Sequence, residues 1–451
     1  MRTVLIFAHE CAPYHAPTST IGAQRVAQFA KHLPSFGWRA IVICCDARER
    51  GIGFSTDVAA RIERQVEEAS PDASLIIPTP SLPWDGLLDR WWRVSARRAS
   101  NAWQRVLWRK PLTALKQLTN GDYSSAWQPC ARRVAEIVAR SVRVDACIGE
   151  HTPDAGLLLA RWFARETGVP WVADFRDPVL RPFPTTLRAL YLPRIRSLLS
   201  TAAHLINVND HLADLDRVLL GRPAMSIPNG FDPEEFGHVE MPPRTAPFTI
   251  AYCGNLNPDI QTMRPFFEAL RIVAATLPND DAGGVRFVYR GSATSYVREL
   301  ARTVGVSRMV DADAHVPREQ ALRILQSSDA LLLLSITGRV QEDKYLARGL
   351  YPAKTFEYFG AKRPILCVPG DGGMLDDLIR ATRTGVVLSD PVRIAEYILA
   401  SQRERQSGQF ATYAPNEELV NQFTRQRLAG TLAVLLDRLV SGQPMRLPNA
   451  S

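Results

Sequence analysis

The chain has 451 residues, 46% hydrophobic and 22% charged, with a formal net charge of +8. That is enough apolar material for two buried cores, so two domains are expected. The seven cysteines are odd in number, show no C-x-x-C spacing and mostly sit in apolar strand-like runs. This fits core thiols in a reducing cytosol better than a disulfide framework.

In chain order, residues 4–8 read as a buried strand. The run ends at His9-Glu10, too short for a signal peptide or a membrane span, so the expectation is a soluble or peripheral protein. A helix follows with Ala23, Val26, Ala27 and Ala30 at helical spacing, then a strand over 40–44. Residues 83–127 hold six of the nine tryptophans, and between Arg90 and Lys116 stand eight basic residues and no acid. Trp92, Ala96, Ala99, Trp103, Val106 and Leu107 can share one helix face, with most arginines elsewhere around it. Tryptophan on a basic amphipathic helix suits an anionic membrane surface, where each basic residue adds about 1 kcal/mol. Trp91, Trp92, Arg97, Arg98, Trp103, Arg105, Trp108 and Arg109 are the membrane-docking candidates. The plainer alternative is a helical insertion whose tryptophans pack on the first domain; nucleic acid is disfavoured because no recognition motif accompanies the charge.

Further strands read at 145–148, 170–173 and 205–208, with a helix near 154–166. The alternation breaks at 237–247, rich in proline and charge, and restarts with strands at 248–252, 285–289, 329–334 and 364–368. Strands separated by helices of this length imply parallel sheets with right-handed crossovers. A last helix is expected at about 417–439, with a frayed tail after Gly442.

The most informative stretch is Tyr351-Pro352-Ala353-Lys354-Thr355-Phe356-Glu357-Tyr358-Phe359-Gly360-Ala361, leading into Lys362-Arg363-Pro364-Ile365-Leu366-Cys367-Val368. It reads as a helix opened by a proline at its first position, running into a buried strand. The N-terminus of such a helix attracts anions, Lys354 adds a full charge, and Glu357 lies three residues on along the same face. This suits a nucleotide diphosphate, with the carboxylate free to accept from two ribose hydroxyls at roughly 1.5–3 kcal/mol per charged hydrogen bond. A surface Lys/Glu pair of about 0.2–0.5 kcal/mol is the bland reading.

Pro352 to Phe359 resembles the donor-binding helix of retaining glycosyltransferases of family 4, which have the GT-B fold. Ile227-Pro228-Asn229-Gly230-Phe231-Asp232, with Phe236 after it, is similar to that family's interdomain signature. Tyr252-Cys253-Gly254-Asn255-Leu256, with Arg264-Pro265 and Glu268-Ala269-Leu270, resembles the glycine loop and helix that open its second domain. The resemblance implies an α/β architecture of two Rossmann-like domains whose parallel sheets face each other across a cleft. The expected organisation is an N-terminal acceptor domain over 1–240, with the Trp-rich insertion at about 80–127, and a nucleotide-sugar donor domain over 248–415. A helix over 416–440 would cross back to the N-terminal domain, leaving a tail over 441–451.

Ligands of open α/β sheets bind at the carboxyl ends of the strands. There the resemblance points to Gly22, Gly254, Arg264, Arg290, Lys354 and Glu357 for the donor, with His151, Arg264 and Lys354 at the reacting centre. His151 precedes Thr152-Pro153, in the loop where relatives place a histidine against the donor sugar. Arg25, Arg176 and Asp177 are acceptor or loop candidates: Arg25 faces either the cleft or solvent, and Asp174-Phe175-Arg176-Asp177 reads as a self-satisfied ion cluster or a hydroxyl-binding group. Two departures stand out. Ile21 replaces the first of a glycine pair, and Gly349 stands where many relatives have a sugar-reading glutamate eight residues before Glu357; Glu342 or Asp343 are substitutes by position.

The implied reaction is transfer of a sugar, with retention, from a nucleotide sugar to a hydroxyl acceptor, a UDP-sugar being the expected donor and a lipid-linked or polysaccharide precursor the expected acceptor. The departing phosphate takes the acceptor's proton, and positioning and cationic stabilisation do the work. No His/Cys/carboxylate cluster at metal spacing is found, so neither a metal nor any cofactor beyond the donor itself is expected. The expected location is the cytoplasmic face of the membrane. The competing class is an inactive nucleotide-binding scaffold acting as a membrane-associated subunit; a nucleotide-sugar epimerase would need carboxylates near the anomeric carbon that the sequence does not place.

Overall fold

The computed structural model describes residues 1–14, 21–85, 124–179, 185–240, 243, 246–277, 284–336, 350–407 and 413–443. The membrane-docking candidates Trp91, Trp92, Arg97, Arg98, Trp103, Arg105, Trp108 and Arg109 lie outside these residues, as do Glu342, Asp343 and Gly349. The chain divides into two compact units, one made of residues 1–229 and 425–451, the other of residues 230–424.

Unit 1 is built on β1 (Arg2–Phe7), β2 (Trp38–Cys45), β3 (Leu75–Thr79), β4 (Ala146–His151), β5 (Trp171–Phe175), β6 (His204–Asn207) and β7 (Ala224–Ser226). They form a parallel sheet in the order β3-β2-β1-β4-β5-β6-β7. Every residue of β2 and β4 is buried, as expected where helices cover both faces of a parallel sheet. On one face Val4, Ile6 and Val42 pack with Val26 and Phe29 of the helix Ile21–His32, and with Leu428, Leu432 and Leu435 of the helix Arg425–Ser441. The Trp38 indole N–H anchors that last helix by donating to Asp437 at 3.0 Å. Asn209 caps the helix Asp210–Leu220, accepting from the Leu212 N–H at 2.8 Å. Trp127, the last tryptophan of the Trp-rich stretch over 83–127, is fully buried and meets the His9 ring edge-on at 5.4 Å.

Unit 2 is built on β8 (Phe248–Gly254), β9 (Val285–Gly291), β10 (Val310–Asp313), β11 (Ala330–Leu333), β12 (Ile365–Cys367) and β13 (Gly385–Val387). The sheet is again parallel, in the order β10-β9-β8-β11-β12-β13. Successive strand residues feed opposite faces. Ile250, Tyr252 and Leu332 enter one core, whereas Ala251, Cys253, Leu331 and Leu333 enter the other with Phe356 and Phe359.

The proline-rich stretch read as the break between domains lies inside unit 2, which begins at Gly230. The Phe231 N–H donates to the Phe423 carbonyl at 3.1 Å, and Phe231 bridges Thr424. Phe236 fills the space over Gly360, where a Cβ would meet its ring at 2.2 Å. The single helix expected over 416–440 is two: Glu417–Asn421 belongs to unit 2, and Arg425–Ser441 to unit 1. No helix among the described residues is long and apolar enough to cross a membrane.

Candidate functional site

In each sheet the strand order reverses beside the first strand, between β1 and β4 and between β8 and β11. Such a reversal opens a crevice at the carboxyl ends of the strands, the usual ligand position of open α/β sheets.

At the reversal in unit 2, β8 ends at Gly254 with φ +120, a conformation that favours glycine. The lack of a side chain has a second use, because a Cβ there would lie 2.6 Å from the Lys354 Nζ. Lys354 opens the helix Lys354–Ala361. Its amine sits 5.0 Å above the Tyr252 ring and donates to the Asn255 carbonyl at 3.4 Å. Tyr252 is held in turn by stacking on Tyr289 and by donating to the same carbonyl at 2.7 Å. Burial lowers the Lys354 amine from its ordinary value, with Glu357 opposing the shift. Among the described residues no carboxylate lies within salt-bridge distance of this amine, a cation left without an anion.

Glu357 is not the free carboxylate the sequence suggested. Its Oε1 accepts from Arg318 at 2.6 Å, and the other arm of the same guanidinium donates to Glu235 at 2.7 Å. Pro352 also differs from its expected place: the helix starts two residues later, and the Pro352 carbonyl accepts from the Thr355 N–H at 2.9 Å. Arg264 opens its own helix, Arg264–Thr276, but the side chain is 74% exposed and paired with Glu268 at 3.0 Å. Arg290 is committed to Asp311, with contacts of 3.0 and 3.1 Å, and holds that carboxyl below the usual range. Ser292 accepts from the Leu256 N–H at 3.3 Å and so ties down the loop after β8.

At the reversal in unit 1, β4 runs three residues beyond the expected strand, which buries Glu150 and His151. His151 Nδ1 is 2.7 Å from Asp154 Oδ1, and the ring meets Phe175 edge-on. Its Nε2 is buried and has no hydrogen-bond partner. Burial works against the Asp154 charge, but the bonds from His151 and Tyr191 prevail and hold this carboxyl below its ordinary range. Glu150 is the opposite case. Neither carboxyl oxygen has a hydrogen-bond partner, and burial pushes the group up to about 8 despite the nearby Arg176 guanidinium.

The charged loop candidates are bound to one another. Arg25, expected to face a cleft or solvent, does neither: it is fully buried and grips Asp174 with two bonds of 2.9 Å. Asp174 therefore belongs to Arg25 and not to the ion cluster read from its own loop. Arg176 turns instead to Glu10 and the Thr152 carbonyl, each at 2.7 Å, with Glu150 at 4.0 Å and Asp177 at 3.9 Å. Gly22 serves this arginine, since a Cβ there would lie 2.2 Å from Arg176 Nη1. Arg318, Asp311 and Asp154 carry no motif that marks them as partners, because each is an ordinary charged residue whose neighbour is set by topology.

No protein-family model and no curated protein matches the chain. Solved structures do. The N-terminal domain of trehalose-6-phosphate phosphatase from Candida albicans is 15% identical, with 97% of each chain covered and a TM-score of 0.59. Sucrose-phosphate synthase from Thermosynechococcus elongatus is 12% identical over 98% of this chain and 100% of its own, TM-score 0.57. HepE from Anabaena, solved with UDP and glucose, is 12% identical over 97% of this chain and 100% of its own, TM-score 0.54. The fold is GT-B. At these identities the likeness carries the architecture alone, and the chemistry rests on the side chains described above.

Proposed function

We propose that this protein is a glycosyltransferase that moves a sugar from a nucleotide sugar, a UDP-sugar foremost, to a hydroxyl acceptor with retention of anomeric configuration. The observation that carries the reading is Lys354, a half-buried amine at the head of a helix and at the strand-order reversal, with no carboxylate partner among the described residues. A diphosphate supplies the missing anion, and the helix N-terminus adds partial positive charge to the same place. HepE, of the same fold, has been solved with UDP, with UDP-glucose and with UDP and glucose. Glu357 is the proposed acceptor for the ribose hydroxyls.

In the reaction the bond from the anomeric carbon to the diphosphate oxygen breaks while the bond to the acceptor oxygen forms on the same face. The acceptor's proton passes to the departing phosphate. Lys354 meets the charge that develops on that phosphate, the part of the barrier that fixed cations lower most. His151 is assigned a sugar hydroxyl through Nε2, its ring held by Asp154. The basic Trp-rich segment is assigned to an anionic membrane surface, which would suit a lipid-linked or polysaccharide precursor as acceptor and a location at the cytoplasmic face.

The test is turnover. The purified protein is incubated with a panel of UDP-, GDP- and ADP-sugars, and released nucleotide is followed together with the configuration of the freed or transferred sugar. Selective release from one UDP-sugar with the α configuration kept supports the proposal. Binding without consumption of any donor would overturn it in favour of a nucleotide-binding scaffold.

A further inference from the structure

The site in unit 2 contains a three-residue chain that the motifs do not reveal. Asp232 caps the short turn Pro233–Glu235 by accepting from the Glu234 N–H at 3.1 Å. That turn delivers Glu235 to Arg318, the first residue of the helix Arg318–Gln326, at 2.7 Å. The second arm of the same guanidinium takes Glu357 Oε1 at 2.6 Å. The three side chains come from separate elements, are only 13% to 37% exposed, and share one cation between two carboxylates. Among the described residues no donor reaches Glu357 Oε2.

We propose that Arg318, tethered by Glu235, is the positioning residue for Glu357, fixing its rotamer so that Oε2 is presented to the ribose of the donor. The inference rests on the proposed nucleotide-sugar site and adds the residue that gives it ribose specificity. A free glutamate loses much rotamer freedom when it is ordered on a ligand, and that cost falls when the ordering is already present in the unliganded protein. Arginine suits the task because its planar fork engages two carboxylates at once, which a lysine point charge does not. Burial alone would lower the Arg318 guanidinium, but Glu357 and Glu235 together outweigh it and raise its pKa, so the shared cation keeps its charge between them.

The experiment measures binding of UDP and of 2′,3′-dideoxy-UDP by calorimetry to the wild-type protein and to Arg318→Ala, Arg318→Lys and Glu235→Ala. The wild-type protein is expected to prefer UDP. Arg318→Ala should lose about tenfold in UDP affinity and leave dideoxy-UDP unchanged, so that the preference collapses. Arg318→Lys should restore part of it, and Glu235→Ala, which leaves Arg318 in place, should lose less than Arg318→Ala. Glu235→Ala also gives a reading should Arg318→Ala fail to fold. If the wild-type protein does not distinguish the two nucleotides, the ribose reading falls and this inference with it. If it does and Arg318→Ala keeps the preference, or binds UDP more tightly because the arginine was a block, the inference alone is overturned.

Discussion

In unit 1 the cations at the strand-order reversal have carboxylate partners: Arg25 holds Asp174, and Arg176 holds Glu10 and a backbone carbonyl. In unit 2 the same position has Lys354 over an aromatic ring with no carboxylate partner among the described residues. Equal topology thus carries opposite chemistry. The first arrangement fixes loop ends against each other. The second keeps a partly desolvated cation at a helix N-terminus, which costs stability in the unliganded state and is offset when an anion arrives.

The contrast is broken most forcefully at Arg25. Asp174→Ala leaves a fully buried guanidinium without its anion and should cost about 3–5 kcal/mol in urea denaturation. A loss under about 1 kcal/mol would mean that the pair is not holding the loops. Next in size is Gly254→Ala, which combines a strained backbone with a Cβ 2.6 Å from the Lys354 amine. The expected outcome is a loss of about 1–3 kcal/mol in stability together with weaker UDP binding; stability loss with unchanged binding would show that the amine has nothing to do with the nucleotide.

How far these features were legible varies with sequence distance. Both parallel sheets, the Lys354–Glu357 helix and Gly254 could be read because each is a local pattern of a few residues. Arg25 and Asp174 are 149 residues apart, and Arg318 is 83 from Glu235 and 39 from Glu357, so their pairing appears only once the sheet brings the loops together. The boundary between the units was displaced for a similar reason. A proline-rich, charged stretch marks a loop, whereas membership of unit 2 from Gly230 onward is decided by the pairing of Phe231 with a segment near Thr424.

Glu150 sharpens the comparison through pH. Its folded value of about 8 lies above the ordinary 4.5, so the unfolded chain releases this proton first. Its contribution to stability is whole below about pH 4.5 and is lost as pH rises towards 8, at up to about 1.4 kcal/mol per pH unit. Glu150→Gln should therefore be more stable than the parent at pH 7.5, with the gap closing towards pH 5; equal melting curves across that range would contradict the buried, neutral acid. The smallest effect is expected at Arg264, whose exposed pair with Glu268 should contribute no more than about 0.5 kcal/mol. Arg264→Ala should leave the denaturation midpoint almost unchanged, and any large loss would point to a partner other than Glu268.

In the proposed function the Lys354 amine awaits a diphosphate. Titration calorimetry of UDP and UMP against the wild-type protein and Lys354→Ala tests it directly. The wild-type protein is expected to bind UDP more tightly than UMP and Lys354→Ala to lose this preference, with UDP affinity falling by about 10- to 150-fold. Equal affinity of the wild-type protein for UDP and UMP, or an undiminished preference in Lys354→Ala, would contradict it.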